Sequence, residues 1–235
     1  MKEHLNQSAR DIDRKRVVEI CEDAKVLVDA IGLKFSKNEV GHINESLKTE
    51  AIPTPKLLIK DHKKMSNMGK FPTRLVILAT NFSATFAKIG YLGVKNILEK
   101  NEINYTKFTM VQASQVKEEW EILNWERDEV KIASIYAVEM YPSIQFPLVK
   151  TSISYFTRSL PKNQQSNVKL CLKLIAFGMS STLLTFEDKY YEYGEKGIEK
   201  KGLAIGGYES AFLADLVASY LFEKCNNQFK EVLRL

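Results

Sequence analysis

The residues best suited to chemistry fall in two short stretches. Gly202-Leu-Ala-Ile-Gly206-Gly207 runs directly into Tyr208 to Phe222, an apolar segment whose pattern predicts a helix. Glycines in such a bend accept positive φ and let another backbone approach closely. Free amides at the start of a helix favour an anion or a sugar-phosphate. The spacing is neither a P-loop nor a dinucleotide fingerprint, since no GK[ST] and no GxGxxG occurs. The second stretch carries Lys60, His62, Lys63, Lys64 and Lys70 in a loop, with Arg74 opening the run that returns from it. These cations read most simply as a solvated turn, and they also suit a flap over a phosphate-bearing ligand.

Other chemistries are poorly supplied. Cys21, Cys171 and Cys225 are far apart and form no CxxC pattern, so neither a disulfide framework nor a zinc site can be drawn. Each lies among apolar neighbours in a helical-looking stretch, where a small buried thiol is expected. Three histidines, His4, His42 and His62, give no basis for a triad or an imidazole zinc site.

The elements that would position the two stretches follow from periodicity. Val17, Ile20, Cys21, Ala24, Val28 and Ile31 make one apolar stripe, which predicts a helix over Asp11 to Ile31. Lys34 to Thr54 is polar and weakly patterned and reads as a loop or short irregular helix. Lys56 to Ile59 and Arg74 to Leu78 are short β-prone runs, a long-looped hairpin around the cations. Phe82 to Leu98 reads as a helix. Lys131 to Tyr136 is apolar and β-branched enough for a buried strand, which Pro142 forbids from continuing. Two helices follow, Phe146 to Ser159 and Gln164 to Met179, split at Pro161. Thr182 to Phe186 and Tyr190 to Tyr193 form a hairpin around Glu187-Asp188-Lys189. Alternating hairpins and helices predict an α+β fold, with helices packed on a small antiparallel sheet.

Composition bounds the rest. The chain has 235 residues, 45% hydrophobic and 27% charged, which excludes wholesale disorder. A net charge of +5 permits a nucleic-acid partner without arguing for one. No apolar run approaches the roughly 20 residues of a membrane span. The N-terminus has no apolar core of a secretory signal, so a reduced, intracellular protein is expected; nucleus and cytoplasm are not distinguished.

The order of these features resembles a reverse transcriptase, the RNA-directed DNA polymerase of retroelements, closest in flavour to Penelope-like elements. The resemblance covers Pro53 to Lys224 and rests on three ordered blocks. LLIKDHKK followed by FPTRLVI is similar to the family's fingers. SIYAVEMYPSI is similar to the first palm motif. TFEDKYYEY followed by KKGLAIGGYESAFLADL is similar to the next palm motif, a hairpin and then a Gly turn and helix.

The resemblance implies a nucleotide site of Lys60, Lys63, Arg74, Tyr141, Gly206 and Gly207. Arg74 would meet the incoming triphosphate, with Lys60 or Lys63 as the second cation. Tyr141 would lie under the sugar, and Gly206 and Gly207 would pass against the template base and the dNTP. It further implies Mg²⁺ as cofactor, and as partners a dNTP and an RNA template or RNA–DNA hybrid, with no membrane. The implied division is a helical extension over 1–52, a fingers-like region over 53–129 and a partial palm over 130–235.

The sequence departs from the family where metal is held. Tyr136 occupies the family's strand aspartate, and a phenol is a poor ligand for a hard cation near neutral pH. The paired-aspartate hairpin expected after the Gly-turn helix is absent, as is a thumb. Templated DNA synthesis is thus the family activity, but this chain is expected not to bind Mg²⁺ productively or to polymerise; whether it is an enzyme stays open. The alternatives are a non-catalytic nucleic-acid-binding module, or the product of a decayed or truncated element.

Overall fold

Apolar residues at helical spacing turn α1 (Arg14–Ile31) onto the core through Val17, Ile20, Ala24, Val28 and Ile31. The computed structural model describes residues 1–2, 5, 9–31, 36–49, 52–60, 72–77, 82–106, 118, 121, 140–194 and 202–232. Among them are seven helices and five strands. α1 starts later than the sequence suggested. Asp13 Oδ1 accepts the Arg16 amide at 2.8 Å, which satisfies a free donor of the first turn. Ala9–Ile12, just before it, is strand β1.

The stretch expected to be loop or irregular helix contains α2 (Lys37–Thr49), a regular helix of 13 residues. Its apolar contacts are few: Ile43 is buried, and Val40 and Leu47 pack beside it. Ser46 Oγ adds a hydrogen bond to the Phe82 carbonyl at 3.2 Å. Tertiary packing rather than a strong stripe holds this helix.

Strands β2 (Lys56–Ile59) and β3 (Thr73–Val76) form a two-stranded antiparallel hairpin. α3 (Phe82–Lys100) follows. Further along the chain come α4 (Met140–Ser143), α5 (Phe146–Thr157) and α6 (Lys162–Ser180). Pro142 sits in the single turn of α4. Pro147 stands at the start of α5, where its missing amide is harmless, and Pro161 separates α5 from α6. α3 and α6 lie in close antiparallel contact because small residues meet small residues. A Cβ on Gly90 would stand 2.8 Å from the Cys171 carbonyl oxygen, and one on Gly178 would collide with Ala87.

β4 (Leu183–Phe186) and β5 (Lys189–Tyr193) make the expected hairpin. β1 adds to its other edge, giving a three-stranded antiparallel sheet in the order β1-β5-β4. α7 (Ser210–Val232) closes the described chain. Helices with antiparallel strands make this an α+β protein.

Three buried clusters hold these elements. Val94, Leu98, Val149, Ile153, Phe156, Leu203, Leu213 and Leu216 belong to the first. α1, α2 and α3 share the second with Leu174 of α6 and Leu183 of β4. Leu5, Ile77, Leu184, Tyr191 and Ala204 form the third. Cys171 is buried and Cys21 half-buried, but Cys225 is exposed, contrary to the expected buried thiol. Leu221 and Phe222 of α7 are exposed, while Tyr155 of α5 donates to Glu223 at 2.7 Å. No helix among the described residues is long and apolar enough to cross a membrane. The expected strand Lys131 to Tyr136, and with it Tyr136, lies outside the described residues, as do Lys63, Trp120 and Trp125.

Candidate nucleotide and nucleic-acid interface

Strand geometry decides which side chains share a face of the β2–β3 hairpin. Lys56 pairs with Val76 and Leu58 with Arg74, and directly opposed residues project to the same side. The pairing runs on past the strand ends, where the Lys60 amide donates to the Pro72 carbonyl at 2.8 Å. One face therefore carries Lys56, Leu58 and Lys60 on one strand and Arg74 and Val76 on the other. Lys56, Leu58 and Arg74 are exposed and Lys60 is half-buried. The opposite face holds Leu57 and Leu75, and Leu75 packs on the third cluster. Leu75 thus fixes the hairpin, and fixing it turns Arg74 outward.

The Gly202–Gly207 bend is tied at both ends. At its start, the Leu203 amide donates to the Tyr141 carbonyl at 2.9 Å. A Cβ on Gly202 would collide with the Pro142 carbonyl, so only glycine fits there. At its far end, the Ile77 amide donates to the Ile205 carbonyl at 2.9 Å. Gly206 has φ +103, and a Cβ there would collide with the Ile77 carbonyl and stand 3.0 Å from Val76 Cγ1. Between these ties, Leu203 enters the first cluster and Ala204 the third. The bend therefore spans from the α4 turn that carries Tyr141 to the end of the strand that carries Arg74. Val76, which Gly206 touches, is on the same hairpin face as Arg74.

The bend then passes into α7. Ser210 Oγ donates to the Ala204 carbonyl at 2.7 Å, and the Leu213 amide donates to the Glu209 carbonyl at 2.9 Å. Lys88 Nζ of α3 stands 4.8 Å from the ring centroid of exposed Tyr208, which brings one more cation beside Gly207. Tyr141 is half-buried and packs against the first cluster.

Glu209 is a feature that the sequence reading passed over. Its side chain is buried, at 6% exposure, and Oε2 has no hydrogen-bond partner among the described residues. Burial pushes its carboxyl above the usual carboxylate range, and its own backbone amide opposes that only in part. Lys56 was also passed over. Period-2 alternation along Lys56, Leu58 and Lys60 was the signal that could have joined it to Arg74.

Of the six residues implied by resemblance, Lys63 lies outside the described residues. Lys60 and Arg74 share a hairpin face, Gly206 abuts that face, and Gly207 and Tyr141 lie at the two ends of the connected backbone. Among the described residues no three His, Cys, Asp or Glu side chains gather as a metal site. Asp188 stands exposed in the β4–β5 turn, Glu209 lies in the turn just before α7, and Asp215 belongs to α7. No protein-family model matches the chain, and no curated protein matches it either.

Proposed function

We propose that the chain is a reverse-transcriptase-like module that holds a dNTP or the phosphates of an RNA template or RNA–DNA hybrid, and does not itself polymerise. The β2–β3 hairpin would supply Arg74 and Lys60 to phosphate, a planar guanidinium fork matching two oxygens and an ammonium adding charge. The glycine bend would offer backbone where a base or sugar approaches too closely for a side chain. Tyr141 would form an aromatic wall. The finer assignment to reverse-transcriptase fingers and a partial palm belongs to this same proposal.

One observation carries the reading. The six residues from Gly202 to Gly207 are pinned to the Tyr141 carbonyl at one end and to the Ile77 amide at the other. Three sequence blocks that resemble one family in order thereby become neighbours through backbone hydrogen bonds. The lack of polymerisation follows from Tyr136, which stands where the family carries a carboxylate, since the reaction needs carboxylates to hold its metal ions.

Two measurements test this. Primer extension with labelled dNTPs and Mg²⁺ is expected to give nothing above background; incorporation abolished by a chelator overturns the non-catalytic part. Binding of a short fluorescent RNA–DNA hybrid is expected to weaken about tenfold in Arg74→Ala. Unchanged affinity in that variant removes the hairpin from the interface, and no binding by the parent chain leaves the inert-product alternative.

A further inference from the structure

Ahead of the glycine bend, the chain has an unusual run of charge. From Met140 to Phe186 there is no Asp or Glu, where the average of 29 acids in 235 residues would put about six. The same run holds five cations, Lys150, Arg158, Lys162, Lys169 and Lys173, and all five are exposed.

The structure sorts three of them onto one line. Lys162, Ser166, Lys169 and Lys173 of α6 are four, three and four residues apart, the spacing of a single helix face. The opposite face, with Val168, Cys171, Leu174 and Ile175, is buried. The stripe spans about 16 Å of helix at about 1.5 Å per residue. None of the three lysines forms an ion pair with a described carboxylate. Every exposed position from Lys162 to Lys173 is Lys, Asn or Ser.

That composition selects the partner. Protein interfaces are depleted in Lys and Ser and are anchored by aromatic side chains or Arg, which this stripe lacks. A helix that lies on a membrane needs exposed apolar residues to insert, and this stripe has none. A linear row of ammonium groups flanked by hydroxyl and amide donors suits a linear row of phosphates, which such groups contact without reading bases.

We infer that the exposed face of α6 is a second nucleic-acid contact that grips the phosphate backbone through Lys162, Lys169 and Lys173. The choice of polymer rests on the reading of the previous subsection, while the contact itself rests on the stripe. It lengthens the footprint of the module beyond a single nucleotide slot.

The test is a titration of a short fluorescent RNA–DNA hybrid against the full chain and the triple variant Lys162→Gln, Lys169→Gln, Lys173→Gln, at several salt concentrations. All three positions are exposed, so the variant should fold, and far-UV circular dichroism checks that it does. The expected result is an affinity lower by about tenfold, and a slope of log K against log salt that is shallower by about 2–3. The triple Lys→Arg variant should bind like the parent. Arg74→Ala, run in parallel, separates the two readings. If hybrid binding falls in Arg74→Ala but the lysine variant binds as the parent with an unchanged slope, the stripe is overturned and the hairpin stands. If the lysine variant weakens and Arg74→Ala does not, the stripe stands and the hairpin reading fails. Lysine-dependent sedimentation with phosphatidylserine vesicles, alongside hybrid binding that ignores the lysines, would make the face a membrane contact and overturn the proposal.

Discussion

Glu209 combines two properties that natural interiors normally separate, deep burial and an acceptor without a donor among the described residues. Burying a carboxylate oxygen without a donor is expensive, and desolvation pushes the carboxyl up toward its neutral form. The sign follows directly. A carboxyl whose folded-state pKa lies above its unfolded value stabilises the fold fully at pH below the unfolded value. That contribution is lost as pH rises through the folded value. Glu209→Gln keeps the shape and removes the titration. It is expected to raise stability at neutral pH by about 1–3 kcal/mol and to leave stability near pH 4 almost unchanged. Urea unfolding of both proteins at the two pH values checks this; an equal gain at both would mean that charge is not the cause. The sequence could not disclose this residue, because Glu209 in GGYES looks like any polar residue at the start of a helix, and only packing shows it to be enclosed.

At the scale of elements, what was legible depended on how much of each segment's own pattern decided its structure. α1, α3, α5 and α6 carry several apolar residues at helical spacing and were visible, as were both hairpins. α2 was not, because Val40, Ile43 and Leu47 alone make its inner face and a polar sequence conceals them. β1 was not, because ARDI has neither alternation nor length and becomes a strand only by pairing with β5. Motif order pointed to the backbone of the Gly202–Gly207 bend, whereas the α6 stripe needed the helix register. The β4–β5 turn adds a local test. Glu187 and Asp188 have φ 49 and 57, the pair of positive angles of a type I′ turn, which Asn-Gly adopts with far less strain. Asp188→Gly is expected to stabilise the protein by about 0.5–1 kcal/mol, read as a higher urea midpoint with unchanged slope. A lower midpoint would show that the aspartate side chain stabilises the turn by more than its backbone strains it.

For the molecule as a whole, the question is whether the N-terminal segment is an appendage or a part of the fold. β1 pairs with β5 through Ala9 to Ile12, and α1 shares its cluster with Leu174 of α6 and Leu183 of β4. Across the β1–β5 seam, Arg10 forms an ion pair with Glu192, whose side chain is 3% exposed, and Arg16 Nη2 lies 3.8 Å from the other carboxylate oxygen. The two ends of this pair are not equivalent. Arg10 is 44% exposed, so removing Glu192 leaves a guanidinium that water can solvate. Removing Arg10 instead takes the nearest guanidinium away from a buried carboxylate. Arg10→Ala should therefore destabilise by about 3 kcal/mol and Glu192→Gln by about 1 kcal/mol, the reverse of what exposure alone suggests. If the seam joins one cooperative unit, Arg10→Ala moves the midpoint of the whole urea transition, with far-UV ellipticity and tyrosine fluorescence still coincident. An early, separate transition confined to part of the helical signal would instead mean that β1 and α1 detach by themselves. The shared cluster argues against that outcome, because α1 cannot leave without exposing Phe82, Phe86 and Leu174 together.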